Sequence, residues 1–128
     1  MTAKALVDIS SSGTYTPTVS GAINCTVNTV GLFRYIQVGK FVMVSGISNV
    51  NATASVGAEF FMTLPIATDL TGAFGQLSGS GSHAQVGASY VPLGVLGDAA
   101  SDKAQVVWRS GTDTASRELY INFTYTLA

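Results

Sequence analysis

The chain has 128 residues, enough for one domain that builds a core without disulfide or metal staples. Charged residues make up only 10% of it and the formal net charge is −1, against about 25% charge in ordinary soluble proteins. The six basic residues, Lys4, Arg34, Lys40, Lys103, Arg109 and Arg117, are scattered, which argues against the dense cationic stripe that nucleic-acid binding requires. Mean hydropathy is +0.38, yet no apolar run approaches the ~18 residues of a helical membrane span. The surface is therefore expected to be neutral, built from Ser, Thr, Gly, Ala and Asn. Either the protein is a monomer coated in hydroxyls, or it is a protomer whose faces are covered by neighbours. The second reading is favoured, because so small a net charge protects a free monomer poorly against association.

Residues 1–13 read as an N-terminal arm and residues 14–128 as the domain. The opening Met-Thr-Ala-Lys-Ala-Leu-Val-Asp lacks the apolar stretch of a secretion signal. Ser10-Ser11-Ser12-Gly13 has linker composition, and Lys4, Leu6, Val7 and Ile9 are the arm residues nominated to contact a neighbour. Thr14 to Val19 is rich in β-formers, with Pro17 marking an edge strand or its first turn. Ala22 to Thr29 alternates Ile23, Cys25 and Val27 with Asn24, Thr26 and Asn28, a half-buried strand of period two. Cys25 is the only cysteine, so it forms no intrachain disulfide and is expected to be a small core residue.

Phe33–Val38 and Phe41–Ile47 are two β-rich runs separated by Gly39-Lys40, which predicts a tight hairpin. Asn49 to Gly57 reads as a polar loop. Glu59 to Leu64 is a strand stopped by Pro65, and Asp69 to Gly72 a turn. Ala67 to Ala73 has room for one helical turn at most. Phe74 to Gly81 is a Gly- and Ser-rich strand whose register is poorly specified. Gln85 to Val95 is a strand interrupted by Pro92, and Gly97 to Asp102 a loop. Lys103 to Arg109 is a strand, Gly111 to Ala115 a turn. The final strand sets Leu119, Ile121, Phe123, Tyr125 and Leu127 on one face, with Tyr120, Asn122, Thr124 and Thr126 on the other. These elements predict an all-β, single-domain antiparallel β-sandwich or barrel, jelly-roll-like, of about eight strands.

Paired groups for catalysis are scarce. His83 is the only histidine. It lies in Gly79-Ser80-Gly81-Ser82-His83, which lacks the spacing of a nucleophile elbow, and reads as a solvated loop residue rather than half of a Ser/His pair or part of a three-fold histidine cluster. Asp98 and Asp102 read as turn formers, since a calcium loop needs more oxygen ligands at regular spacing. No catalytic, cofactor-binding or metal-ligating residue is nominated. Among the aromatics, Trp108 and Tyr125 fall in phase with core positions. Tyr120 lies on the opposite face, and Tyr90 and Tyr120 are the rings nominated to face an interface or a ligand, with a sugar the natural ligand for exposed flat rings.

Several segments, in order, carry a resemblance: Gly13-Thr14-Tyr15-Thr16-Pro17-Thr18, then Tyr35 to Gly46, then Leu64-Pro65-Ile66-Ala67, then Gly97 to Val106, and a closing Phe123-Thr124-Tyr125-Thr126. Together, over Gly13 to Leu127, the chain resembles small β-domains of tailed-bacteriophage virions, which occur as capsid decoration (cement) proteins and as terminal domains of tail fibres. The resemblance implies a non-enzymatic virion component, made in the host bacterial cytoplasm and placed on the capsid surface. It implies a homotrimer bound to the major capsid protein, with the arm residues Lys4, Leu6, Val7 and Ile9 as its capsid contact; no cofactor, nucleic-acid or membrane partner is expected. The alternative within the same resemblance is a tail-fibre tip or receptor-binding domain, whose partner would be a glycan.

Overall fold

The computed structural model describes residues 9–72, 76–85 and 90–128, and every regular element among them is a β-strand. There are ten where about eight are expected: β1 (Ile9–Tyr15), β2 (Val19–Ile23), β3 (Cys25–Val30), β4 (Phe33–Val38), β5 (Phe41–Ala52), β6 (Gly57–Met62), β7 (Leu77–His83), β8 (Val91–Asp98), β9 (Lys103–Arg109) and β10 (Arg117–Thr126). All pair antiparallel, in the order β1-β4-β5-β10-β7-β8-β9-β6-β2, with β3 on β5. The all-β, single-domain barrel or sandwich is thus the observed architecture.

The hairpin of β4 and β5 forms as its sequence dictates. Val38 opposes Phe41 across the two-residue turn, and Gly39 sits at φ +58°, a conformation glycine adopts without a Cβ penalty. β5 continues to Ala52, so Asn49–Ala52 is strand rather than loop. Its far end is held on one side by β3 and on the other by β10. The Asn49 and Asn51 side chains that suggested a loop are the outer members of an ordinary alternation with buried Val50 and Ala52.

The single strand read from Ala22 to Thr29 is broken at Asn24. Asn24 adopts φ +57°, its side chain donates to the Gly57 carbonyl at 2.8 Å, and its own carbonyl accepts from Thr53 N–H at 2.9 Å. Asparagine is among the few side chains that tolerate this region. The kink has an architectural consequence. β2 pairs with β6 at one end of the sheet path, while β3 pairs with β5 near the other. The chain through Asn24 ties those ends together, and the sheet curls around one core.

That core is the inner row of strands β4 to β10. Val42, Val44 and Val50 of β5, Phe60 and Met62 of β6, Val106 of β9, and Leu119, Ile121, Phe123 and Tyr125 of β10 are all buried. Trp108 meets Phe60 edge-on with centroids 5.9 Å apart. Tyr125 and Trp108 are core residues, as their phase predicts. The Tyr125 hydroxyl donates to the Ile66 carbonyl at 2.8 Å and accepts from Ile66 N–H at 3.1 Å, pinning the segment after β6 to the middle of the fold. Burial pushes that phenol up to about 12, so it stays a donor at neutral pH.

Further expectations are revised. Ser10–Gly13, read as linker, lies within β1, and Ser11, Ser12 and Gly13 pair with Gln37, Ile36 and Tyr35. Lys4, Leu6 and Val7 fall outside the described residues, and Ile9 opens β1 opposite Val38. Pro92 lies inside β8 rather than interrupting it. It pairs with Ser82 of β7, but the register with β9 begins one residue later, at Leu93 and Trp108. Asp102 is a turn residue as expected, at φ +54°, whereas Gly97 and Asp98 end β8, Asp98 opposite Lys103, so the loop read from Gly97 shortens to Ala99–Asp102. Ser101 donates to Asp98, and the Asp102 carboxylate accepts from Leu70 N–H at 2.9 Å.

Candidate functional face

The outward rows of the β4–β5–β10–β7 wall can be read from the pairing register, because successive side chains alternate between the two faces. One row runs Ile36–Met43–Thr124–Ser78, the next Arg34–Ser45–Asn122–Ser80, and a third Ile47–Tyr120–Ser82. Ile36, Phe41, Met43 and Ile47 are exposed, Phe41 by 62% and Met43 by 46%. An open groove of about 560 Å³ runs across the wall, with the small side chains of Ser45, Ser78, Ser80 and Thr124 beneath it and Ile36, Met43 and Arg34 beside it. Arg34 is the one charged residue lining it among the described residues. Isolated exposed apolar side chains are ordinary; here Ile36 and Met43 are cross-strand partners with Phe41 one row away, while Ile47 lies beyond the Arg34–Ser45 row.

Sequence reasoning located the hairpin and missed this face. Both rows of the hairpin are apolar: Phe33 and Tyr35 against Ile36 and Val38 on β4, Val42 and Val44 against Phe41 and Met43 on β5. Period two then identifies a strand without saying which row faces the core. The excess of apolar residues over what one buried row needs is the signal that could have found it.

At one end of the wall the two nominated rings come together. Tyr90, just before β8, and Tyr120 of β10 lie parallel within 6°, with centroids 6.3 Å apart. Tyr90 is 58% exposed. The Tyr120 hydroxyl donates to the Glu118 carboxylate, and that bond, with a smaller contribution from desolvation, raises the phenol above its ordinary value. A hollow of about 380 Å³ adjoins the rings, lined also by Asn49, Gln85, Ser116 and Glu118. Arg117 lines it too, its guanidinium held by Asp113, Nε to Oδ2 at 2.6 Å.

His83 is not a solvated loop residue. It ends β7 on the inner face and is fully buried. Its Nδ1 lies 3.1 Å from Gln85 Nε2, and its ring meets Trp108 edge-on at 5.7 Å. Ser82 is the neighbouring residue on the strand and so points to the opposite face; the two do not form a nucleophile–base pair. Burial also keeps the imidazole from a cluster shared between chains. The misreading has a physical source. Gly79 and Gly81, the inner-row residues before His83, give no apolar signal because β10 occupies the space their side chains would need.

Desolvation holds the His83 pKa below its ordinary 6.5; Asp113 opposes the shift and Arg117 adds to it. The folded state therefore keeps the ring neutral where the unfolded chain already binds a proton. Stability is full above about pH 6.5 and falls as pH drops through the interval down to the folded value, by at most about 1.4 kcal/mol per pH unit. Urea midpoints measured between about pH 7 and about pH 5 should fall in the parent and fall less in His83→Gln, which cannot titrate.

Cys25 is half-buried, and its thiol donates to the Glu59 carbonyl at 3.5 Å. Burial pushes it up, with hydrogen bonding to the backbone at Glu59 and Ile23 opposing, so the protonated thiol is favoured over the thiolate. Among the described residues no group of three or more His, Cys, Asp or Glu side chains is placed to hold a metal ion. No family model matches the chain, and no curated protein or solved structure does either.

Proposed function

We propose that this protein is a non-enzymatic structural protein of a phage virion, a capsid decoration protein that binds the major capsid protein as a homotrimer and stabilises the shell. The observation that carries the reading is the exposed, nearly uncharged β4–β5–β10–β7 wall. Charge is depleted at the core of protein interfaces because unpaired ions are costly to desolvate, and Ile36, Phe41, Met43 and Ile47 expose apolar area that only a partner would cover. Each protomer would bury this neutral surface against a mate. The trimer would then bridge neighbouring shell subunits, so that several weak contacts add through effective concentration.

Met43→Lys tests the assembly. Met43 is on the outer row, so the variant should melt at the temperature of the parent, while an unpaired ammonium in the interface should weaken association by about a hundredfold or more. Sedimentation velocity reads the result: a trimeric parent and a monomeric variant. A parent that is monomeric at every concentration would overturn the proposal. Shell binding is tested by co-sedimentation with capsids stripped of this protein. Deleting residues 1–8 spares β1 and should lower occupancy; unchanged occupancy would remove Lys4, Leu6 and Val7 from the contact. The parallel Tyr90–Tyr120 pair favours a second reading, a tail-fibre tip or receptor-binding domain in which the same neutral fold presents a ligand site.

A further inference from the structure

Tyr90 and Tyr120 approach each other across a gap in sequence that no local rule predicts, and they do so at the surface. A tyrosine ring ordinarily buries most of its area, yet Tyr90 is 58% exposed. The adjoining hollow of about 380 Å³ lies within the range of small-ligand pockets, roughly 300–1,000 Å³. Its polar groups are of particular kinds. Glu118 and Asn49 are direct cross-strand partners on the outer face, which sets a carboxylate acceptor beside an amide that both donates and accepts. The Ser116 hydroxyl, which accepts from Asn28 Nδ2 at 3.0 Å, keeps its own proton to donate.

Parallel aromatic faces next to a carboxylate, an amide and a hydroxyl match one kind of small molecule. A pyranose ring has a flat face of C–H bonds that stacks on an aromatic ring, and an edge of vicinal hydroxyls that donate to a carboxylate and accept from an amide. We infer that the hollow beside Tyr90 and Tyr120 is a binding subsite for a neutral pyranose sugar. Neutrality follows from the charges: the Glu118 carboxylate opposes an acidic sugar, and the Arg117 cation, which also lines the hollow, is already compensated by Asp113 at 2.6 Å. Tyr90 and Tyr120 supply the stacking faces, and Glu118 and Asn49 orient the hydroxyls. The inference rests on the ligand-presenting reading and is independent of the shell-binding role.

The test is a nuclear magnetic resonance titration of the isotope-labelled full chain with the methyl glycosides of glucose, galactose and N-acetylglucosamine. At least one should perturb the resonances of Tyr90, Glu118 and Tyr120, saturating in the millimolar range expected of so small a ligand. Tyr90→Ala should weaken that binding about fivefold to tenfold. Because Tyr90 is exposed, the variant should melt with the parent, which keeps loss of folding apart from loss of binding. Glu118→Gln should reduce the preference for neutral sugars over glucuronic acid. Silence towards every neutral sugar, or equal binding by Tyr90→Ala, overturns the inference. So does a proline-rich peptide that perturbs these residues when sugars do not. Adsorption of the labelled chain to bacterial cells separates the two readings: adsorption with silent sugars removes the sugar class and leaves the tip reading, and neither signal removes both.

Discussion

Gly81→Ala is expected to destabilise the domain by about 3 kcal/mol or more, at the upper end of what overpacking a core costs. A Cβ at Gly81 would overlap the Tyr120 carbonyl oxygen and lie 2.8 Å from its carbonyl carbon, with Leu93 Cδ1 at 3.2 Å on the other side. The obstacle is backbone of the central strand β10, which cannot rotate aside as a side chain can. Relief requires β7 to move off β10, and the Ser80–Asn122 and Ser82–Tyr120 pairings go with it. Gly94→Ala is the matched control. A Cβ there would meet nothing nearer than Val107 Cγ2 at 3.9 Å, so stability should stay within about 0.5 kcal/mol of the parent. Urea midpoints of the two variants check the pair. Equal midpoints would show that β7 does not press on β10.

Phe60→Ala should cost about 3–5 kcal/mol, the usual loss for emptying a buried aromatic site. Phe60 is wholly buried on β6 and packs edge-on against Trp108, interplanar angle 79°. Its strand is paired to β2 on one side and β9 on the other, so the surroundings have little freedom to collapse into the cavity. Set against a total stability of about 5–15 kcal/mol for a single domain, either change takes a large share. The near-ultraviolet circular dichroism band of Trp108 should weaken in Phe60→Ala even where the variant remains folded, because the edge contact that fixes the indole is lost. A variant with the parent's melting temperature would contradict the placement of Phe60 at the centre of the core.

Both effects follow from the same property of the fold. The residues that decide its stability sit where β10 meets β5 and β7 and where β6 meets β9, and none of those pairs is adjacent in sequence. The candidate surface has the same origin. Its apolar rows come from the β4–β5 hairpin, its small polar rows from β7 and β10, and the hollow beside Tyr90 from Asn49 of β5, the chain before β8, and β10. A neutral, hydroxyl-rich surface would suit the proposed assembly role, since neighbours could cover it without stranding ions.

What the sequence by itself determined is local. Period-two alternation in β10, the β-rich run of β9 and the Gly39-Lys40 turn each reside in a handful of consecutive residues, so the all-β class, the hairpin, and the burial of Trp108 and Tyr125 were legible. The missing charge was legible too, because composition does not depend on folding. Tertiary structure alone decided the strand order, since which strand pairs with which is settled by closure of the whole sheet and leaves no mark on either partner's alternation. It decided which of two apolar hairpin rows faces water, and it broke the Ala22–Thr29 run at Asn24 so that one stretch could bridge two edges. It turned His83 inward, through glycines whose absent side chains are filled by a strand some forty residues further on. It also brought Tyr90 to Tyr120, because a ring's partner is set by register across strands and not by spacing along the chain.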